Sequence, residues 1–380
     1  MFLRGRLLSA IRQRGEKEGA FEVTHGRECQ GRRVANLDYV RLVCNFMVII
    51  FHPYPFMYFT SKGLAYWSMT YLVYYLGDVF LPTLFVVSGW CMFRNWDLSW
   101  ATFGRKLWSR FKRLFIPHVT WNVLYLILFV LIGMVVPRAA SKLGRCNIHD
   151  LWSFLKLVLP VPGWPILDSA LWFVQALMFL ACISPIIYLI FRWSNKWVAI
   201  LIGSLPIVLI FYMPRMFFSF YPFPAYSLSC FYYGALVAYH SIDLCEVCEG
   251  NGKWLVPLGV FSVTGAFVLH LNGVNTDDCT YGIRDVELLL AGPMLLALSG
   301  TIARFCERMK MSRLLPVGFF IYAAHGIVVS SIVHSLGGMG LHPWFVWCAS
   351  VAVAPTVLIL SWKVWHRLSP RTLVFFDGSL

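Results

Sequence analysis

"RLVCNFMVIIFH", residues 41–52, sets an arginine and a histidine at the two ends of a run whose only other polar side chain is Asn45. Read as a helix, eleven steps of about 100° make three turns plus about 20°. Arg41 and His52 therefore share one face, about 16 Å apart along the axis. Ionisable groups in an apolar helix are costly unless they face protein or a water-filled cavity, which makes both functional candidates. Blander readings exist for each taken alone. Arg41 at a helix end can snorkel or set topology, and His52, followed by Pro53, can be a histidine hydrogen-bonded between helices.

Outward from this stretch the chain stays apolar. Of 380 residues, 59% are hydrophobic, 17% aromatic and 13% charged, and the mean hydropathy is +0.67. Soluble domains carry about 25% charged residues, so this composition excludes a soluble globular protein and predicts an all-α polytopic membrane protein. A spanning helix needs roughly 20 mostly apolar residues. Windows at 37–59, 74–92, 113–136, 169–191, 197–213, 222–240, 254–271, 285–304, 315–334 and 344–365 predict a bundle of about ten transmembrane helices.

Lys and Arg concentrate in cytoplasmic connections. With the N-terminus inside, inner segments hold 24 of the 32 and outer segments 7, Arg41 being the remaining one. The expected layout is a basic cytoplasmic arm (1–36), a membrane domain (37–366) and a short cytoplasmic tail (367–380), with both termini cytoplasmic. The net charge of +14 then reads as topology and contact with anionic lipid rather than nucleic-acid binding. Residues 1–36 contain no removable signal peptide pattern. "MFLRGRLLSAIRQRGEKE" reads either as an amphipathic anchor on the inner leaflet or as a basic arm.

The remaining motifs exclude more than they assign. There is no GxGxxG, P-loop or HExxH. Most of the eleven cysteines lie within the windows, where cysteine behaves as a small apolar residue. Cys245 and Cys248 form a single CxxC, and one CxxC without a second is a weak metal signal, so no metal is expected. Cys146 and Cys279 fall in expected outer loops and are candidates to pair in an oxidising compartment. The long connection 137–168, ending in PVPGWP, reads as a lid or a binding element.

Five pieces carry a resemblance. They are Arg41-(ten residues)-His52, "LFVVSGW" (84–90), "RFKRLFIP" (110–117), "LWFVQALMF" (171–179) and "IYAAH" (321–325). In this order and at these helix positions the chain resembles the membrane acyltransferase-3 family. That resemblance implies a ten-helix bundle that moves an acyl group, often acetyl from acetyl-CoA, onto a hydroxyl of a sugar or surface glycan in the cell envelope. It implies residence in the cytoplasmic membrane and no permanently bound cofactor, acyl-CoA being a co-substrate. The competing classes are a transporter or flippase and a non-catalytic membrane partner.

Acylation of a hydroxyl from a thioester needs a base, and imidazole suits neutral pH. His52 is assigned that role, with His325 the next candidate. A phosphate-bearing cytosolic donor calls for a positive inner mouth, and arginine suits bidentate phosphate contact. Arg41, Arg110 and Arg113 are the donor-binding candidates, although Arg105, Lys106, Arg110, Lys112 and Arg113 together also read as loop anchors. Ser88, with Gly89, matches the family's Ser-Gly pair, through either a close helix approach or a channel wall. Trp172 and Gln175 are pocket candidates, Trp172 alternatively belonging to an interfacial aromatic belt. Where the family pattern has glycine eight residues before Ser88, this chain has Phe80, followed by Pro82 and Thr83. Asp78 is expected near the depth of His52, as the carboxylate that orients its ring, or else facing outer water.

Overall fold

With no water in the hydrocarbon layer to satisfy backbone N–H and C=O groups, an open chain of this composition must pair them internally as helices. The computed structural model describes residues 35–379 apart from 98, 136–150, 162, 165, 215–216, 218–220 and 275–280. Among the described residues all regular structure is helical. Cys146 and Cys279 lie outside the described residues.

The first apolar helix, α1 (Ala35–Tyr58), loses its regular turns after Phe51. Pro53 and Pro55 lack backbone donors, and the chain continues as a 3₁₀ turn over Pro55–Tyr58. A second long helix, α2 (Leu64–Phe93), contains a π-helical segment at Thr70–Tyr75 and a 3₁₀ turn at Gly77–Val79. Gly77 is required by proximity, since a Cβ there would overlap the Phe51 ring of α1. The amphipathic α3 (Trp100–Arg110) starts at Ser99, whose hydroxyl accepts from the Thr102 amide at 3.1 Å, a standard N-cap. A second π-helical segment, Phe111–Phe115, leads into α4 (Ile116–Val135).

Then come α5 (Leu151–Val158), α6 (Trp172–Trp193), α7 (Lys196–Tyr212) and α8 (Ala225–Tyr239). They are followed by α9 (Leu244–Gly250), α10 (Gly252–Leu271), α11 (Tyr281–Ala297) and α12 (Ser299–Arg308). The last three are α13 (Gly318–Gly338), α14 (Pro343–Leu368) and α15 (Pro370–Asp377). Every expected window coincides with a helix. By length and composition six described helices qualify as spans, or seven if α11 and α12, bent by 52°, count as one. The other windows hold helices that are shorter or only partly described. The second span begins ten residues before its expected start, because Tyr66, Ser68 and Thr70 dilute the hydropathy of its first turns while leaving its helicity intact.

The bundle is organised around the pairing of α2 with α8. A Cβ at Gly89 would overlap the carbonyl of Phe231, and one at Gly234 would overlap the carbonyl of Val86. The two backbones thus touch, as small residues permit between helices that gain nothing from apolar burial against lipid. Thr83, fully buried, donates to Val79 O at 3.1 Å and to Gly292 O at 2.7 Å, joining α2 to α11. The short segment after residue 366 carries α15, which folds back against α4, α13 and α14. Phe376 packs between Trp121 and Trp365 at centroid distances of 5.3 and 4.5 Å, and Trp121 Nε1 donates to its carbonyl at 2.9 Å.

Candidate functional site

Two cavities lie beside α1, one toward each end of the Arg41–His52 face. The cavity at the His52 end has a volume of about 300 Å³, at the low end of small-molecule sites. His52 sits where α1 runs out of regular turns, and its Nδ1 lies 3.0 Å from the Val48 carbonyl. A carbonyl only accepts, so Nδ1 carries the proton and Nε2 keeps its lone pair. His325, on α13 and fully buried, repeats the arrangement, with Nδ1 2.5 Å from the Tyr322 carbonyl. Its Nε2 is buried without a partner. The two rings meet edge to face at 4.6 Å between centroids and 76° between planes. The pair of unprotonated ring nitrogens is therefore set by two helix backbones.

Asp78 does not orient His52. Its Oδ2 accepts from Arg284 Nη2 at 2.8 Å, while Arg284 Nη1 donates to both carboxylate oxygens of Glu287 at 2.7 Å. Arg284 Nη2 also donates to the Tyr74 carbonyl, within the π-helical segment of α2. The guanidinium lies over the Tyr74 and Tyr75 rings, 4.7 and 4.8 Å from their centroids. The expected dyad fails for a physical reason: a carboxylate at that depth gains more from a guanidinium than from a neutral imidazole whose N–H is already bonded to a main-chain carbonyl. Arg284, just before the expected window at 285–304, is one of the seven Lys and Arg counted above in outer segments. The signal that reveals it is "RDVE", residues 284–287, an i,i+3 Arg–Glu pair opening an otherwise apolar helix. Asp285, the next residue, accepts from the Tyr226 amide at 2.6 Å and caps α8. Trp172 also lines this cavity.

The second cavity, about 540 Å³, gathers Arg41, Arg110, Arg113 and Ser88 with Lys106 and Asn45. Arg41 donates to Asp38 Oδ1 at 3.2 Å and to Cys91 Sγ at 3.0 Å. Arg110 Nη2 donates to the Ser88 carbonyl at 3.0 Å, and Lys106 Nζ to the carbonyls of Met92 at 3.0 Å and Arg94 at 2.6 Å. These cations sit at the C-terminal end of α2, where free carbonyls and the helix dipole favour positive charge. Ser88 thus contributes its backbone to Arg110, and Gly89 the close approach to α8.

Tyr322 lines both cavities. Its hydroxyl donates to the Ala170 carbonyl and its ring lies 5.8 Å from Phe173. Of the sequence-predicted residues, His52, Asp78, Trp172 and His325 share the first cavity, and Arg41, Ser88, Arg110 and Arg113 the second. Gln175 lines neither: it is 2% exposed, packed in the core on α6 with its amide nitrogen unpartnered. Phe173, Val174 and Leu177 of the same helix take the face toward the second cavity. Cys245 and Cys248 are buried residues of α9, and among the described residues no three metal-ligating side chains come together.

A family model described as an acyltransferase domain matches residues 34–366. No curated protein and no solved structure matches the chain.

Proposed function

We propose that this chain, which belongs to the acyltransferase-3 family and is a membrane acyltransferase, transfers an acyl group from acyl-CoA to a hydroxyl of a sugar or surface glycan in the cytoplasmic membrane, acetyl being the expected group. The observation that carries the reading is the pair of Nε2 lone pairs of His52 and His325 in one cavity, on the same helix as the arginine-lined cavity and joined to it at Tyr322.

In this reading the donor's phosphates lie among Arg41, Arg110 and Arg113, and its thioester arm runs along three turns of α1 past Tyr322. The acceptor occupies the histidine cavity, whose aromatic walls at Tyr54, Tyr74, Trp172 and Tyr226 suit the faces of a sugar ring. His52 Nε2 takes the hydroxyl proton as the oxygen attacks the thioester carbon. When the tetrahedral intermediate collapses, the C–S bond breaks and the leaving thiolate recovers the proton from the imidazolium. His325 Nε2 provides a second acceptor beside the first, able to hold the hydroxyl before attack.

The test is mass spectrometry of surface glycans from cells with and without the gene, combined with transfer of labelled acyl from acyl-CoA by the purified protein in nanodiscs. Loss of an acyl modification and acyl transfer in vitro support the reading. Unchanged glycans together with acceptor-independent export of a glycan overturn it in favour of transport.

A further inference from the structure

The family match ends at residue 366, yet the arginine cavity is completed by residues beyond it. Asp377 and Gly378, at the end of α15, line that cavity together with Arg41, Lys106, Arg110 and Arg113. Their position is built. Phe376 is held by the Trp121 indole through its carbonyl, and Leu373 is 1% exposed beneath the helix. Gly378 adopts φ +71°, and a Cβ there would lie 3.0 Å from the Arg113 carbonyl. The α15 terminus is thereby seated directly on the arginine segment.

Asp377 is the single carboxylate among the described residues lining this cavity. It makes no ion pair within 4 Å among the described residues, and its one hydrogen bond is accepted from the Ser379 amide at 3.0 Å. An anion lining the same cavity as these cations opposes any other anion that enters, and in a partly buried cavity such opposition is poorly screened. Arg41 already pairs with Asp38 at 3.2 Å, yet a cavity lined by three arginines and a lysine would still hold a polyphosphate nucleotide tightly, as substrate and as product alike.

We propose that Asp377 is an affinity-limiting residue of the donor cavity: its carboxylate weakens binding of the acyl-CoA phosphates, so that spent CoA leaves. The inference rests on the acyl-CoA reading and adds to it a residue outside the family domain. α15 supplies the wall and Asp377 the opposing charge. Because the helix is anchored through Phe376 and Leu373, neutralising the Asp377 side chain leaves that wall in place.

The experiment is calorimetric titration of CoA into the full-length protein in nanodiscs, comparing wild type, Asp377→Asn and Asp377→Glu, each also in a His52→Ala background to exclude turnover. Asp377→Asn binds CoA roughly 3- to 10-fold more tightly, the scale of one unit charge at cavity distance in an intermediate dielectric. The gain shrinks when the titrant is CoA lacking its 3′-phosphate, and Asp377→Glu stays near wild type. Equal or weaker CoA binding by Asp377→Asn overturns the proposal and makes Asp377 a support for the arginines. Absence of CoA binding by wild type and variants alike overturns the acyl-CoA reading itself, and this inference with it.

Discussion

The two cavities along α1 handle charge in opposite ways. At the His52 end the charges are bonded within the wall: Arg284 lies between Asp78 and Glu287, with Tyr74 and Tyr75 against its face, and Asp285 accepts from the Tyr226 amide. At the Arg41 end the cations lean mostly on main-chain carbonyls of α2, which balance only part of their charge, and Asp377 is the sole acid in the wall among the described residues. A cavity with its charge internally cancelled and aromatic walls is suited to a neutral, hydroxyl-bearing molecule. One with an excess of cations is suited to phosphates. The contrast teaches that the polarity of a site is set by what its charges are already bonded to, and a count of charged residues does not reveal it.

The contrast is broken most severely at Arg284. Arg284→Met leaves Asp78 and the 2%-exposed Glu287 without their cation, and removing one partner of a buried pair costs about 3 kcal/mol or more. A marked fall in melting temperature in nanodiscs is expected, and an unchanged thermal scan refutes the claim that this group holds α11 to α2.

Next in size is the chemical effect of His52→Ala. Acyl transfer falls by at least ~10²-fold, the scale of a positioned general base, at normal membrane yield. His325→Ala, which removes the ring packed edge to face against His52, gives a smaller loss. Near wild-type turnover by His52→Ala with a large loss in His325→Ala reverses the assignment of base between the two rings.

A smaller change is expected at the other cavity. Arg41→Gln or Arg113→Gln raises the donor KM by roughly tenfold, the worth of one charge-assisted contact, with the acceptor KM unmoved. Initial-rate kinetics against both substrates checks it; a shift in acceptor KM instead merges the two cavities into one functional site.

The smallest effect belongs to Asp78→Asn. Its amide oxygen still accepts from Arg284, and Glu287 continues to hold the guanidinium, so acyl transfer changes by less than about threefold. A loss comparable with that of His52→Ala brings back the orienting role for which the geometry shows no hydrogen bond.

How far the site was legible varied residue by residue. Arg41 and His52 followed from an eleven-residue spacing on one helix, because helical periodicity is local. His325 was reached through a short motif 273 residues beyond His52, and its Nδ1 bond to Tyr322 O belongs to the tertiary structure alone. Arg284 was missed because it lies one residue before the expected window at 285–304, whereas the helix itself starts at Tyr281.

The sequence by itself determined that this protein is helical and lies in a membrane, that it belongs to its family, and that one helix carries an arginine and a histidine on one face. Each of these depends on composition or on spacings within a single segment. Only the tertiary structure decided the rest. It gave Asp78 to Arg284, set His52 against His325, let Tyr322 border both cavities, and returned α15 to the arginines. These depend on which side chains compete for the same partner across helices far apart in the chain. That competition is settled by packing and by the cost of leaving a polar group unbonded, neither of which any single segment can record.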